Sequence, residues 1–116
     1  MSDSLQASYR PRGLAIGQCI TSQYDTLEWS MKLWWPHCEA MIGTLMAWRR
    51  TGEARWWERF DRIAAWTMDR FPDPEHGEWF GYLTREGEVS QRFKAGPYKG
   101  CFHVPRALLM CVQMVR

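Results

Sequence analysis

The chain has 116 residues, 46% of them hydrophobic and 24% charged, with a formal net charge of +2, a balance that suits one globular domain and excludes a disordered segment or two domains. Basic and acidic residues alternate, as in Arg55-Trp56-Trp57-Glu58-Arg59, so no one-sided basic strip is offered to nucleic acid. No apolar run approaches the roughly 20 residues of a membrane-spanning helix, and the N-terminus lacks the basic-then-apolar order of a secretory signal. The expectation is a soluble, cytoplasmic protein with neither nucleic acid nor membrane as partner.

Residues 1–22 are small and polar, with Pro11, Gly13 and Gly17 and no sustained periodicity, and read as a poorly defined tail. The unit proper spans 23–116. A first helix is predicted from about Pro36, where a missing N–H costs little, to about Arg50, with Cys38, Met41, Ile42, Leu45, Met46 and Trp48 on its apolar face. Thr51-Gly52 ends it. A second helix is predicted from Glu53 to Phe71, with Trp56, Trp57, Phe60, Ile63, Ala64, Thr67, Met68 and Phe71 as its stripe, and Pro72 and Pro74 stop it. Trp79–Leu83, the turn Thr84-Arg85-Glu86-Gly87 and Glu88–Phe93 predict a short β-hairpin. A loop, Lys94–Gly100, leads to a last helix opening at Pro105 and still running at Arg116, which suggests a fragment. Short connections make successive helices alternate in direction. The starts of the first and third helices, Trp34–Glu39 and Cys101–Arg106, are therefore expected to meet.

The four cysteines, Cys19, Cys38, Cys101 and Cys111, match no zinc spacing and read as buried free thiols in a reducing compartment, with no metal site. The eight tryptophans suit either a core or a wall that stacks on sugar rings. Chemistry concentrates at the two helix starts. A helix N-terminus favours neutral imidazole and steadies a nearby anion, and histidine, with an unperturbed pKa of about 6.5, serves as a base near neutrality. His37 and His103 are thus candidate bases, although a histidine before a helix is more often a cap or a packed polar residue. Glu39 could hold a histidine tautomer or accept from a sugar hydroxyl, or it could simply favour the dipole of a first helical turn. Arg106 could steady an oxyanion or pair with Glu39. His76 reads as a surface turn residue.

Three long stretches carry a resemblance: Leu27–Met41 around Trp34-Trp35-Pro36-His37-Cys38-Glu39, Phe71–Leu83, and Gly96–Arg106 with Cys101-Phe102-His103-Val104-Pro105-Arg106. Over about residues 24–116 they resemble, in order and with similar gaps, the N-acyl-D-glucosamine 2-epimerases, also called renin-binding proteins. The first two dozen residues add nothing to it. The resemblance implies an all-α fold, the C-terminal part of an α/α toroid (six-hairpin barrel) with one short β-hairpin insertion. It also implies an isomerase of amino sugar metabolism that interconverts N-acetyl-D-glucosamine and N-acetyl-D-mannosamine. His103 matches a catalytic histidine of the family and Glu39 its active-site glutamate. His37, Trp34, Trp35 and Arg106 fall in the same motifs and are assigned substrate contact. No cofactor or metal is required, ATP is an effector of many members, and renin is a partner of the animal ones.

The chemistry follows from the substrate. The C2 proton is acidified only in the open-chain aldehyde, so a base removes it to give an enolate and an acid returns a proton on the opposite face. Two histidines suit this, but the resemblance places the second, with an arginine, N-terminal to anything present. A toroid of twelve helices needs roughly 190 residues. The chain alone is expected to be inactive or nearly so. Rival readings are an aldose or cellobiose 2-epimerase of the same fold, and a non-catalytic fragment that binds a partner or a second copy through exposed apolar faces.

Overall fold

The computed structural model describes residues 20–21 and 27–116. In chain order these form strands β1 (Ile20–Thr21), β2 (Leu27–Trp29) and β3 (Lys32–Leu33), helices α1 (Trp34–Thr51) and α2 (Ala54–Arg70), strands β4 (Tyr82–Leu83) and β5 (Val89–Gln91), and helix α3 (His103–Val115). Helices α1 and α3 both start two residues earlier than their prolines suggest. Pro36 and Pro105 still fall in the first turn, where no intrahelical N–H bond is lost. The first amide of α1, on Trp34, donates instead to the Gly81 carbonyl at 3.1 Å. Gly52 closes α1 in the left-handed conformation (φ 69°), its N–H on the Trp48 carbonyl at 2.8 Å.

Side-chain contacts fix the helix directions. The Trp48 and Trp57 rings lie 4.9 Å apart and those of His37 and Trp66 5.3 Å apart, so α1 and α2 are antiparallel. Glu39 meets Arg106 near the start of α3, and Arg49 donates to the Met114 carbonyl near its end, so α3 runs parallel to α1 on the other flank. As the central helix, α1 buries a broad stripe, Trp34, His37, Cys38, Met41, Ile42 and Leu45, where a one-sided helix would bury a narrower one. Helix α2 buries only Ile63 and Thr67. Trp57 and Met68, expected in its stripe, are 38% and 47% exposed. Helix α3 buries Val104, Ala107 and Cys111 and leaves Leu109, Val112 and Val115 exposed.

The expected hairpin is present and gains a third strand. The order is β3-β4-β5, all antiparallel, with Lys32 opposite Leu83 and Leu33 opposite Tyr82. Two residues are too few for alternation to reveal β3, yet it fastens the hairpin to the start of α1. Gly87 takes φ 94° in the turn, and a Cβ there would lie 3.0 Å from Trp66. Of the expected tail, Ile20 and Thr21 pair with Trp29 and Leu27, and the remainder lies outside the described residues. No helix among the described residues is long and apolar enough to cross a membrane. Cys38 and Cys111 are buried free thiols, as expected. Cys101 is exposed, because it stands in the loop before α3, and Cys19 lies outside the described residues. Burial, aided by Glu39, pushes the Cys38 thiol up to about 12.

Candidate active site

The two helix starts meet. Glu39 Oε1 accepts from Arg106 Nη1 at 2.5 Å and faces His103 Nδ1 at 3.1 Å. Because α1 begins at Trp34, Glu39 lies beyond the first helical turn, which holds no acidic residue. The dipole account of Glu39 therefore gives way to a specific one, in which the carboxylate holds two side chains of α3. The spacing of His103 and Arg106 puts both on one side of the first turn of α3. Arg106 is held from the other side by Phe102, whose ring centroid lies 5.7 Å from the guanidinium carbon.

The pairing sets the histidine's chemistry. An ionised carboxylate can only accept, so Nδ1 of neutral His103 carries the proton and donates it to Glu39, leaving the lone pair on Nε2. The ring is framed by Phe102, edge-on at 4.9 Å, and by Trp35 at 6.2 Å. Trp35 is 37% and Phe102 59% exposed, so aromatic surface flanks an accessible base. The His103, Glu39 and Arg106 side chains are themselves 30–39% exposed. Chemically, the arrangement can offer a base, a carboxylate that orients it, a cation beside it and a stacking wall.

Two expected contact residues turn the other way. His37 precedes Glu39 by two helical positions and so faces α2, where it is 1% exposed. Its Nδ1 donates to the Leu33 carbonyl at 2.6 Å, and its ring stacks on Trp66 and tilts against Phe71 at 4.8 Å. Burial lowers its pKa to about 4, and it is a core residue. Trp34, 2% exposed, packs on Tyr82 at 5.4 Å beneath the hairpin. His76 is exposed on its turn, as expected. Phe102 carries no signal in the sequence beyond its place directly before His103.

The same helical layer occurs in solved sugar epimerases. The backbone superimposes on a cellobiose 2-epimerase from Spirochaeta thermophila with TM-score 0.68, at 31% identity, over 73% of this chain and 22% of that one. It matches the cellobiose 2-epimerase of Bacillus thermoamylovorans with TM-score 0.72 over 95% of this chain and 28% of that one, where 20% identity speaks for the fold alone. The fold is part of an α/α toroid. Residues 3–107 match the family described as N-acylglucosamine 2-epimerase (GlcNAc 2-epimerase), well beyond the motif-bearing stretch toward the N-terminus, and the chain belongs to that family. The N-acylglucosamine 2-epimerase of Bos taurus is 54% identical over 101 residues and that of Homo sapiens 56% identical over 89. A cellobiose 2-epimerase of Eubacterium cellulosolvens is 27% identical over 86 residues. The chain covers 87% and 77% of itself in the first two matches but only 23% and 21% of those relatives, less than a quarter of their length.

Proposed function

We propose that this chain contributes one acid/base half of an N-acylglucosamine 2-epimerase, acting on the open-chain form of N-acetylglucosamine or N-acetylmannosamine. The observation that carries the proposal is the Glu39–His103 pair with Arg106 on the same carboxylate oxygen. His103 Nε2 takes the C2 proton, the C–H electron pair moves toward C1, and the aldehyde oxygen becomes an enolate oxygen. Arg106 and the N-terminus of α3 lie beside His103 and favour that negative charge. Reprotonation on the opposite face inverts C2. The Trp35 and Phe102 rings offer the stacking surface. No metal or cofactor is invoked, because the neighbouring carbonyl already acidifies the C2 proton.

Inversion needs a proton carrier on each face, and neither remaining histidine serves: His37 is in the core and His76 stands on an exposed turn. The second carrier comes from outside the described residues, so the isolated described region is proposed to be inactive or nearly so. The N-acyl substrate class is preferred over cellobiose because identity to the acylglucosamine enzymes is twice that to the cellobiose enzyme of Eubacterium. By resemblance we extend the proposal to a cytoplasmic place in amino sugar metabolism, ATP as effector, self-association through the exposed face of α3, and renin as a partner should the chain be an animal member. The test is a chimera in which residues 27–116 replace the matching segment of the bovine relative, assayed on N-acetylmannosamine, mannose and cellobiose. Turnover of the N-acetyl sugar alone supports the proposal. Preference for cellobiose overturns the substrate assignment.

A further inference from the structure

Lys99 is only 2% exposed, and lysine is almost never fully buried without partners. Its Nζ donates to Glu78 Oε2 at 2.6 Å and to the Lys94 carbonyl at 2.8 Å, and lies 6.0 Å from the Trp34 ring centroid. The stem runs hard against the backbone that enters β4, directly beneath the start of α1: a Cβ on Gly81 would stand 2.7 Å from Lys99 Cδ and 3.2 Å from Trp34 Cε3. Gly81 in turn accepts the Trp34 amide. One side chain, rooted four residues before His103, is therefore locked under the first residue of α1.

Its partner is held in an unfavourable conformation. Glu78 has φ 61°, alone in this among the non-glycine residues described. A residue with a Cβ stays there only where its surroundings over-determine it. Lys94 fastens the same two segments a second time, donating to the Gly77 carbonyl at 2.7 Å and pairing with Asp73 at 2.5 Å. The loop that delivers His103 is thus pinned to the turn beneath the hairpin and to the start of α1.

We propose that Lys99 is a positioning residue for the site. By gripping Glu78 and the Lys94 carbonyl beneath Trp34, it sets the spacing between the start of α1, which carries Trp35 and Glu39, and the start of α3, which carries His103 and Arg106. The importance of that spacing rests on the epimerase reading, but the spacing is measured without turnover, so failure of one does not mimic failure of the other. Lys99→Met keeps the stem and removes the charge, whereas Glu78→Gln removes the carboxylate charge at a half-exposed position.

In the chain itself, NMR should find a cross-peak between the His103 ring and the Trp35 indole, and protection of the bonded Gly96, Phe102 and Arg106 amides. Each variant is expected to weaken the cross-peak at least threefold and speed exchange of those amides at least tenfold, with α2 amides within twofold of the parent. The double variant should add nothing to either single change. Should Lys99→Met fail to fold, Glu78→Gln carries the test. An unchanged cross-peak with unchanged exchange overturns the proposal. So does equal acceleration across α2, which would make Lys99 a general staple of the fold.

Discussion

Acid should weaken this fold through one residue, His37. Its imidazole is neutral in the core, with a pKa lowered from 6.5 to about 4 chiefly by burial. A folded pKa below the unfolded one means that the unfolded chain binds the proton more readily. The stability contribution is therefore complete above pH 6.5 and is lost as pH falls toward 4. The fall from 6.5 to about 4 corresponds to about 3 kcal/mol at most, of which about 2 kcal/mol is gone by pH 5. Asp73, held well below the usual carboxylate range by its hydrogen bond to Lys94, loses its contribution only below its ordinary value of 3.8, outside this window. His37→Gln abolishes the titration while keeping a polar side chain. Urea unfolding followed by tryptophan fluorescence at pH 7, 6, 5 and 4.5 should show the stability gap between parent and variant closing by about 2 kcal/mol between pH 7 and pH 5. A gap that stays constant with pH would refute a buried neutral His37.

Other outcomes follow from packing and exposure. Leu45→Ala, at a position with no exposed surface, should cost about 2–5 kcal/mol in thermal or urea unfolding. Gly81→Ala forces a Cβ to 2.7 Å from Lys99 Cδ, whose head is pinned by Glu78, and should cost about 1–3 kcal/mol. Gly43→Ala meets nothing within 4 Å inside α1 and should stabilise by about 0.5–1 kcal/mol. Alkylation mapped by mass spectrometry should mark Cys101 in the folded chain and reach Cys38 and Cys111 only on unfolding; early modification of Cys38 would contradict the packing of α1 against α3.

Much of the fold is legible because its signals are local. The apolar spacing from Cys38 to Leu45, the stop at Gly52 and the turn at Gly87 each act within a few residues. The meeting of Glu39 with Arg106 and His103 follows from direction: the two-residue link at Gly52-Glu53 reverses the chain once, and the longer, hairpin-bearing connection over 71–102 reverses it again and returns the third helix alongside the first. What sequence spacing does not encode is which way a side chain on the central helix turns. His37 and Glu39 stand two positions apart, and only the presence of α2 on one flank and α3 on the other sends the first into the core and the second to the site. Strand β3 and the Lys99–Glu78 pair are equally silent in the sequence. Each depends on a contact between residues distant in the chain, and a lysine in a loop carries no mark of burial.

The proposed transfer of the C2 proton by His103, oriented by Glu39, can be followed by NMR of N-acetylmannosamine in deuterated water with the bovine chimera carrying residues 27–116. Epimerisation with deuterium incorporated at C2 is expected, with a loss of at least about 100-fold in both turnover and exchange for His103→Asn and impairment of Glu39→Gln alongside it. Epimerisation and C2 exchange that survive His103→Asn would rule out His103 as the carrier of that proton.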